Sequence, residues 1–143
     1  MRNSIKATRV VVWVVAGLFA VYFPVAWWLK ASYVPVPPEE SPAGVLQLAR
    51  PYAKFHPDGF AVIGRASMLR SVADTPNAPQ RSPVILYEDG KPLGPPHSVH
   101  ADISKLGLGR YSHWGDTGFI FSSSDNSDPN FNRRKYWVAL PKE

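Results

Sequence analysis

Arg110-Tyr-Ser-His-Trp-Gly-Asp-Thr-Gly-Phe-Ile-Phe-Ser-Ser123 reads as two short strands, residues 110–114 and 119–123, joined around Gly115-Asp-Thr-Gly118. Aromatic and β-branched side chains suit a pleated surface, and the glycine-bounded polar connector supplies the turn. Working outward, Val84-Ile-Leu-Tyr87 is another strand, and Glu88-Asp-Gly90 is a tight-turn signal leading into Lys91-Pro-Leu-Gly94. A polar loop over residues 124–134 precedes a last strand in Lys135-Tyr-Trp-Val-Ala-Leu140. Residues 60–68 read as an earlier strand after the turn-like His56-Pro-Asp-Gly59, and residues 73–83 as a proline-rich loop.

Two segments among these strands carry helical spacing. Residues 44–50 place Val45, Leu46 and Leu48 on a partly buried helical face closed by Pro51. Residues 97–106 place Val99, Ile103 and Leu106 on one face, with Ser98 as cap and Gly107 and Gly109 as stop. The expected fold class is mainly β: a small β-sandwich or partly open barrel with one short helix at residues 97–106, behind a single N-terminal transmembrane helix.

That helix is residues 10–29, twenty residues without a charge. At about 1.5 Å rise per residue they span roughly 30 Å, the thickness of a bilayer core. Seven Val, two Leu and two Phe contribute on the order of −3 to −7 kcal/mol to insertion. Trp27, Trp28 and Lys30 mark the expected membrane interface, and Pro24 removes one helical donor near that end. Gly17 and Ala20 form, with Pro24, a small-residue patch where a partner helix could approach. A cleavable leader would have a shorter apolar core and a small-residue exit, so retention as an anchor is expected.

Arg2, Lys6 and Arg9 precede the apolar run, which places residues 1–9 in the cytoplasm and the remainder outside, across a bacterial inner membrane. Residues 30–43 follow as a periplasmic stalk, with four prolines among residues 31–42. Residues 44–143 are the periplasmic β domain, long enough for one core. The net charge of +5 is concentrated at the anchor: residues 1–30 hold four basic and no acidic residues, leaving twelve Lys and Arg against eleven Asp and Glu. Basicity is therefore a topology signal, and no nucleic-acid partner is expected. The chain contains no cysteine, which excludes disulfides, thiolate metal sites and cysteine nucleophiles.

Residues able to carry chemistry are present without the pattern that chemistry needs. His97, His100, Asp102 and His113 suit zinc by type, yet no His-Glu-x-x-His pattern supplies a base. Asp128, Asn130 and Asn132 imitate the start of a calcium loop, but Arg133 stands where the glycine belongs and no bidentate Glu follows. Ser112 and His113, with Asp116 nearby, are neighbours on a strand, so their side chains point to opposite faces. Arg110, Tyr111, Trp114, Asp125 and Asn126 compose a candidate glycan or partner surface, with Phe131, Tyr136 and Trp137 as further rings.

From Tyr87-Glu-Asp-Gly-Lys-Pro-Leu-Gly94 through Gly109-Arg-Tyr-Ser-His-Trp114, Phe121-Ser-Ser-Ser-Asp-Asn-Ser-Asp-Pro129 and Arg133-Arg-Lys-Tyr136, about half the chain resembles an extracytoplasmic β module of bacterial membrane and envelope proteins, sometimes linked to glycosyltransferase-like proteins. The resemblance implies fold and compartment. The expected function is a non-enzymatic, single-pass accessory or scaffold subunit of an inner-membrane complex. Integral membrane subunits and the lipid bilayer are its partners, and no cofactor or metal is expected. The competing expectation is an anchored carbohydrate-binding module in envelope polysaccharide assembly, with glycan as ligand.

Overall fold

The computed structural model describes residues 2–32 and 44–141. Of the residues read as the proline-rich stalk, 30–43, the first three are helical and belong to the N-terminal helix described next, and 33–43 lie outside that set. Two compact units divide the chain, residues 1–34 and 35–143.

The first unit is one helix, α1, Arg2–Ser32. It starts eight residues before the uncharged run and ends three after it, so the basic N-terminal segment is helical as well. It passes unbroken through Pro24. Over Val11–Ser32 the mean hydropathy is 1.9 and none of the helix is buried. It is long and apolar enough to cross a membrane.

The second unit holds two four-stranded antiparallel sheets. The strands are β1 Val45–Gln47, β2 Ala53–Lys54, β3 Val62–Gly64, β4 Ile85–Glu88, β5 Lys91–Pro92, β6 Tyr111–Trp114, β7 Gly118–Phe121 and β8 Tyr136–Ala139. One sheet has the order β1-β8-β4-β5 and the other β2-β3-β7-β6. Both feed a single apolar cluster, with Leu86, Tyr136 and Val138 from the first sheet and Val62, Tyr111, Phe119 and Phe121 from the second. Tyr52 stands edge-on to both Phe121 and Tyr136, at 5.3 and 5.8 Å between centroids. Such edge-to-face contacts suit the ring quadrupoles.

The second sheet is covered on its other face too. Helix α2, His100–Lys105, buries Ile103 against Ala61 and Ile120, with Phe55 and Ile63 alongside. This explains why Phe119, Ile120 and Phe121 are all inaccessible, where a half-exposed strand would alternate.

Three local expectations are corrected. Residues 44–50 are not helical: β1 pairs antiparallel with β8, Val45 opposite Ala139. Seven residues make too short a helix to hold by propensity, and an open strand edge offers backbone partners at once. Residues 60–68 shorten to β3, because the chain turns into a 3₁₀ segment at Ser67–Val72. Ser98 does not cap α2: Val99 is the N-cap, and the Ser98 hydroxyl donates instead to Pro95 O at 2.8 Å. The tight turn after β4 stands, with Asp89 and Gly90 at φ 48° and 82°, the positive pair a type I′ hairpin requires. Counting α1, the 3₁₀ segment and α2 together with the two antiparallel sheets, the described residues are mixed and β-rich.

Candidate functional site

The proline-rich loop carries the most buried chemistry in the domain. It is tied to the β6–β7 hairpin by Asp74 N donating to His113 O at 2.8 Å. That bond draws the Asp74 side chain inside, where it is 2% exposed. One carboxylate oxygen accepts from Ser82 N at 2.8 Å; the other lies 2.9 Å from His97 Nδ1. The Ser82 hydroxyl in turn meets His113 Nδ1 at 2.7 Å. His113 lies flat on Phe119, 4.0 Å between ring centres and 3° between planes, as expected for residues directly opposite in the β6–β7 register.

Burial pushes the His113 imidazole down to about 4, with the Asp74 charge opposing the shift. The ring is therefore neutral at neutral pH. A serine, a histidine and a carboxylate meet here, but the connectivity differs from an acyl-transfer triad. The carboxylate orients His97 and the loop amide, and the ring nitrogen that would face an orienting carboxylate faces serine instead. A cavity of about 340 Å³ adjoins this network, lined by Arg65, Arg70, His113, Trp114, Asp116 and Thr117 among others. Arg70 pairs with Asp116 there. A larger cavity, about 540 Å³, lies between the 56–60 turn and α2, with Asp58, Ser104 and Lys105 in its wall.

A second network orders the loop between β7 and β8. Glu88, 6% exposed, accepts from Tyr136 OH at 2.8 Å and Arg134 Nη1 at 3.2 Å, and from the Ser124 hydroxyl. Burial first, and then Glu88, raise the Tyr136 phenol far above its ordinary range. Arg134 also grips Asp125 through two nitrogens, at 2.9 and 2.5 Å. That guanidinium, helped by Ser127, holds the Asp125 carboxyl well below the usual range. Asp128 pairs with Lys54 at 3.1 Å. The oxygen-rich loop thus spends its carboxylates on cations of the chain itself.

The residues proposed as a glycan or partner surface separate into four places. Tyr111 is a core residue whose hydroxyl donates to Val84 O at 3.2 Å. Trp114 is half-buried on the cavity wall, edge-on to His100 at 5.7 Å. Arg110 and Asn126 meet at the loop after α2: the guanidinium donates to Gly107 O at 3.1 Å and the amide bonds Leu106 and Leu108. Asp125 is held by Arg134. Of the histidines, His97 and His113 join one buried network through Asp74 and Ser82, while His100 packs apart from it between Phe55 and Trp114. Among the described residues no three metal-ligating side chains converge. On α1, Trp27 and Trp28 are exposed at 75% and 64%, Lys30 is in the last turn, and a Cβ at Gly17 would meet no atom within 4 Å. Ala20 is exposed alongside.

Asp74 and Ser82 escaped the sequence reading. Neither belongs to a recognisable motif, and only the fold buries them. Compared with family models, with curated proteins and with solved structures, the chain finds a match in none.

Proposed function

We propose that this protein is a non-enzymatic, single-pass accessory or scaffold subunit of a membrane protein complex, with α1 as its anchor and the β domain making contacts outside the bilayer. The observation that carries the reading is α1 itself. Its apolar residues are open on every side, from Trp13 at 76% and Leu18 at 67% to Val21 at 66% exposed. Such a surface is stable only against lipid or other helices. The β domain supports a non-catalytic role through the way its buried polar groups are used. Asp74, Ser82 and His113 bond one another or loop backbone, and Glu88 bonds Tyr136 and Arg134.

The finer reading puts residues 1–9 in the cytoplasm of a bacterium and the β domain, a sandwich of its two sheets, in the periplasm. The charge asymmetry around α1 and the resemblance to envelope modules support it. Purification from native membranes in mild detergent should yield stoichiometric integral-membrane partners that are lost in Gly17→Leu; a clean monomer from the unaltered chain refutes the reading.

A carbohydrate-binding role is the second reading, favoured by Trp114 on a cavity wall beside Arg70, Asp116 and Thr117. An indole face with hydrogen-bonding neighbours suits a sugar ring. Saturable binding of envelope glycans that Trp114→Ala abolishes would support it, and absence of binding across such a panel removes it.

A further inference from the structure

The cavity of about 340 Å³ beside the β6–β7 turn is fixed in shape by the backbone around it. Asp74 N donates to His113 O and Ala73 N to Arg70 O, so the end of the 3₁₀ segment is held against the hairpin. Gly115 packs on that segment: a Cβ there would lie 3.6 Å from the Arg70 side chain. Gly118, at φ 93°, brings the start of β7 so close that a Cβ would stand 2.6 Å from Gly64 O, one residue before Arg65. Trp114 is steadied edge-on against His100. A wall already set in place costs little to order on binding.

The polar groups of this wall are mostly donors without acceptors. His113 is 2% exposed, and its Nδ1 meets Ser82 Oγ, which also accepts from Val84 N at 3.4 Å. The Ser82 hydroxyl has no other acceptor among the described residues, so its proton goes to Nδ1 and the neutral ring carries its own on Nε2. No described residue accepts from Nε2. Nor is that atom one of those sealed from solvent without a partner, which are His100 Nε2, Ser112 Oγ and Trp137 Nε1. Because His113 lines the cavity, its N–H opens there. Arg65, exposed on the same wall, makes no ion pair among the described residues. Arg70 pairs with Asp116, their side chains 67% and 88% exposed, and so open a pair is screened by water and easily parted. Two guanidiniums thus face one carboxylate, leaving the lining an unmatched positive charge.

We propose that this cavity takes a hexuronate, a sugar ring bearing a carboxylate, with Arg65 and the His113 N–H meeting the carboxylate and Trp114, Ser67 and Thr117 meeting the ring. The inference rests on the carbohydrate-binding reading and narrows it to acidic glycans. The unmatched guanidinium selects the charge, because a charge-assisted hydrogen bond is roughly twice as strong as a neutral one. An indole beside hydroxyl groups selects a ring over a bare anion. An excess of donors over acceptors suits a ligand rich in oxygen.

Isothermal titration calorimetry on the full chain in detergent tests this with three sets of ligands. Glucuronate, galacturonate and their short oligomers are compared with glucose, galactose and neutral oligomers of the same length, and with acetate and inorganic phosphate as bare anions. Uronates should bind saturably, at least about tenfold tighter than either other set. Arg65→Gln changes an exposed side chain, so near-ultraviolet circular dichroism should be unaltered while uronate binding falls to the level of the neutral sugars. Equal binding of acidic and neutral sugars, or a preference that survives Arg65→Gln, overturns the inference and leaves the carbohydrate reading standing. Bare anions binding as tightly as uronates overturn it in favour of an anion site without sugar recognition. No binding by any sugar overturns both.

Discussion

Protonation of His113 sets a window in which the β domain loses stability. Its imidazole, 2% exposed, is lowered to about 4 in the fold, against about 6.5 in an unfolded chain. Between those values the unfolded state binds the proton and the folded state does not, so stability must fall as the pH falls from about 6.5 towards 4. Each pH unit inside the window is worth up to about 1.4 kcal/mol, giving about 2 kcal/mol between pH 6.5 and 4.5 once the rounded ends of the titration are included. For a domain of this size that lowers the melting temperature by roughly 8–16 °C. His100 is lowered by burial as well and adds in the same direction. Asp125 and Asp128 are lowered carboxyls; their contributions are present above an unfolded value of about 3.9 and lost below it, which separates them from the histidine window. Thermal unfolding of the full chain in detergent, followed by near-ultraviolet circular dichroism, should therefore give a steep slope from pH 6.5 to 4.5. His113→Gln, which keeps a hydrogen-bonding group for Ser82, should flatten most of it. An unchanged slope in that variant refutes the assignment to His113.

Three further outcomes are expected. Glu88→Ala strips the buried acceptor from Tyr136 and Arg134 and should cost about 3–5 kcal/mol in denaturant unfolding; a loss under about 1 kcal/mol would mean that water replaces the carboxylate without penalty. Leu86→Ala empties a fully buried position between the sheets and should cost about 2–5 kcal/mol by the same measurement. Phe131→Asp alters a side chain 82% exposed and should change stability by less than about 0.5 kcal/mol, unless that ring contacts a partner, in which case co-purification of partners falls while stability holds.

Strong local signals explain what the sequence discloses. The β6–β7 hairpin, β4 with its Asp89-Gly90 turn, and β8 are apolar runs ended by turn residues, and each lies within a residue or two of its expected place. Residues 44–50 went wrong because Val45, Leu46 and Leu48 fit a helical face as well as an edge strand, and the deciding partner, β8, lies some ninety positions away. The buried network was hidden for a related reason. Asp74 and Ser82 lie among prolines in a segment that reads as solvated loop, and their burial depends on Asp74 N reaching His113 O across the fold. The opposed placement of Ser112 and His113 follows from strand alternation. That both are buried required α2 to cover the second face, which no period in the strand announces.

The hydrogen bonds of the buried network fit the proposed contact role. A general base needs an ionisable ring with one nitrogen oriented and the other free near its substrate. In this domain the carboxylate that could orient His113 is turned to His97 and the Ser82 amide, and the ring itself is locked between Ser82 and Phe119. Large apolar side chains, by contrast, stand open along α1 and on the Leu106–Leu108 loop, where Asn126 fixes the backbone that displays them. The polar bonds closed within the buried network and the open apolar residues of α1 are together what the proposed accessory role draws on.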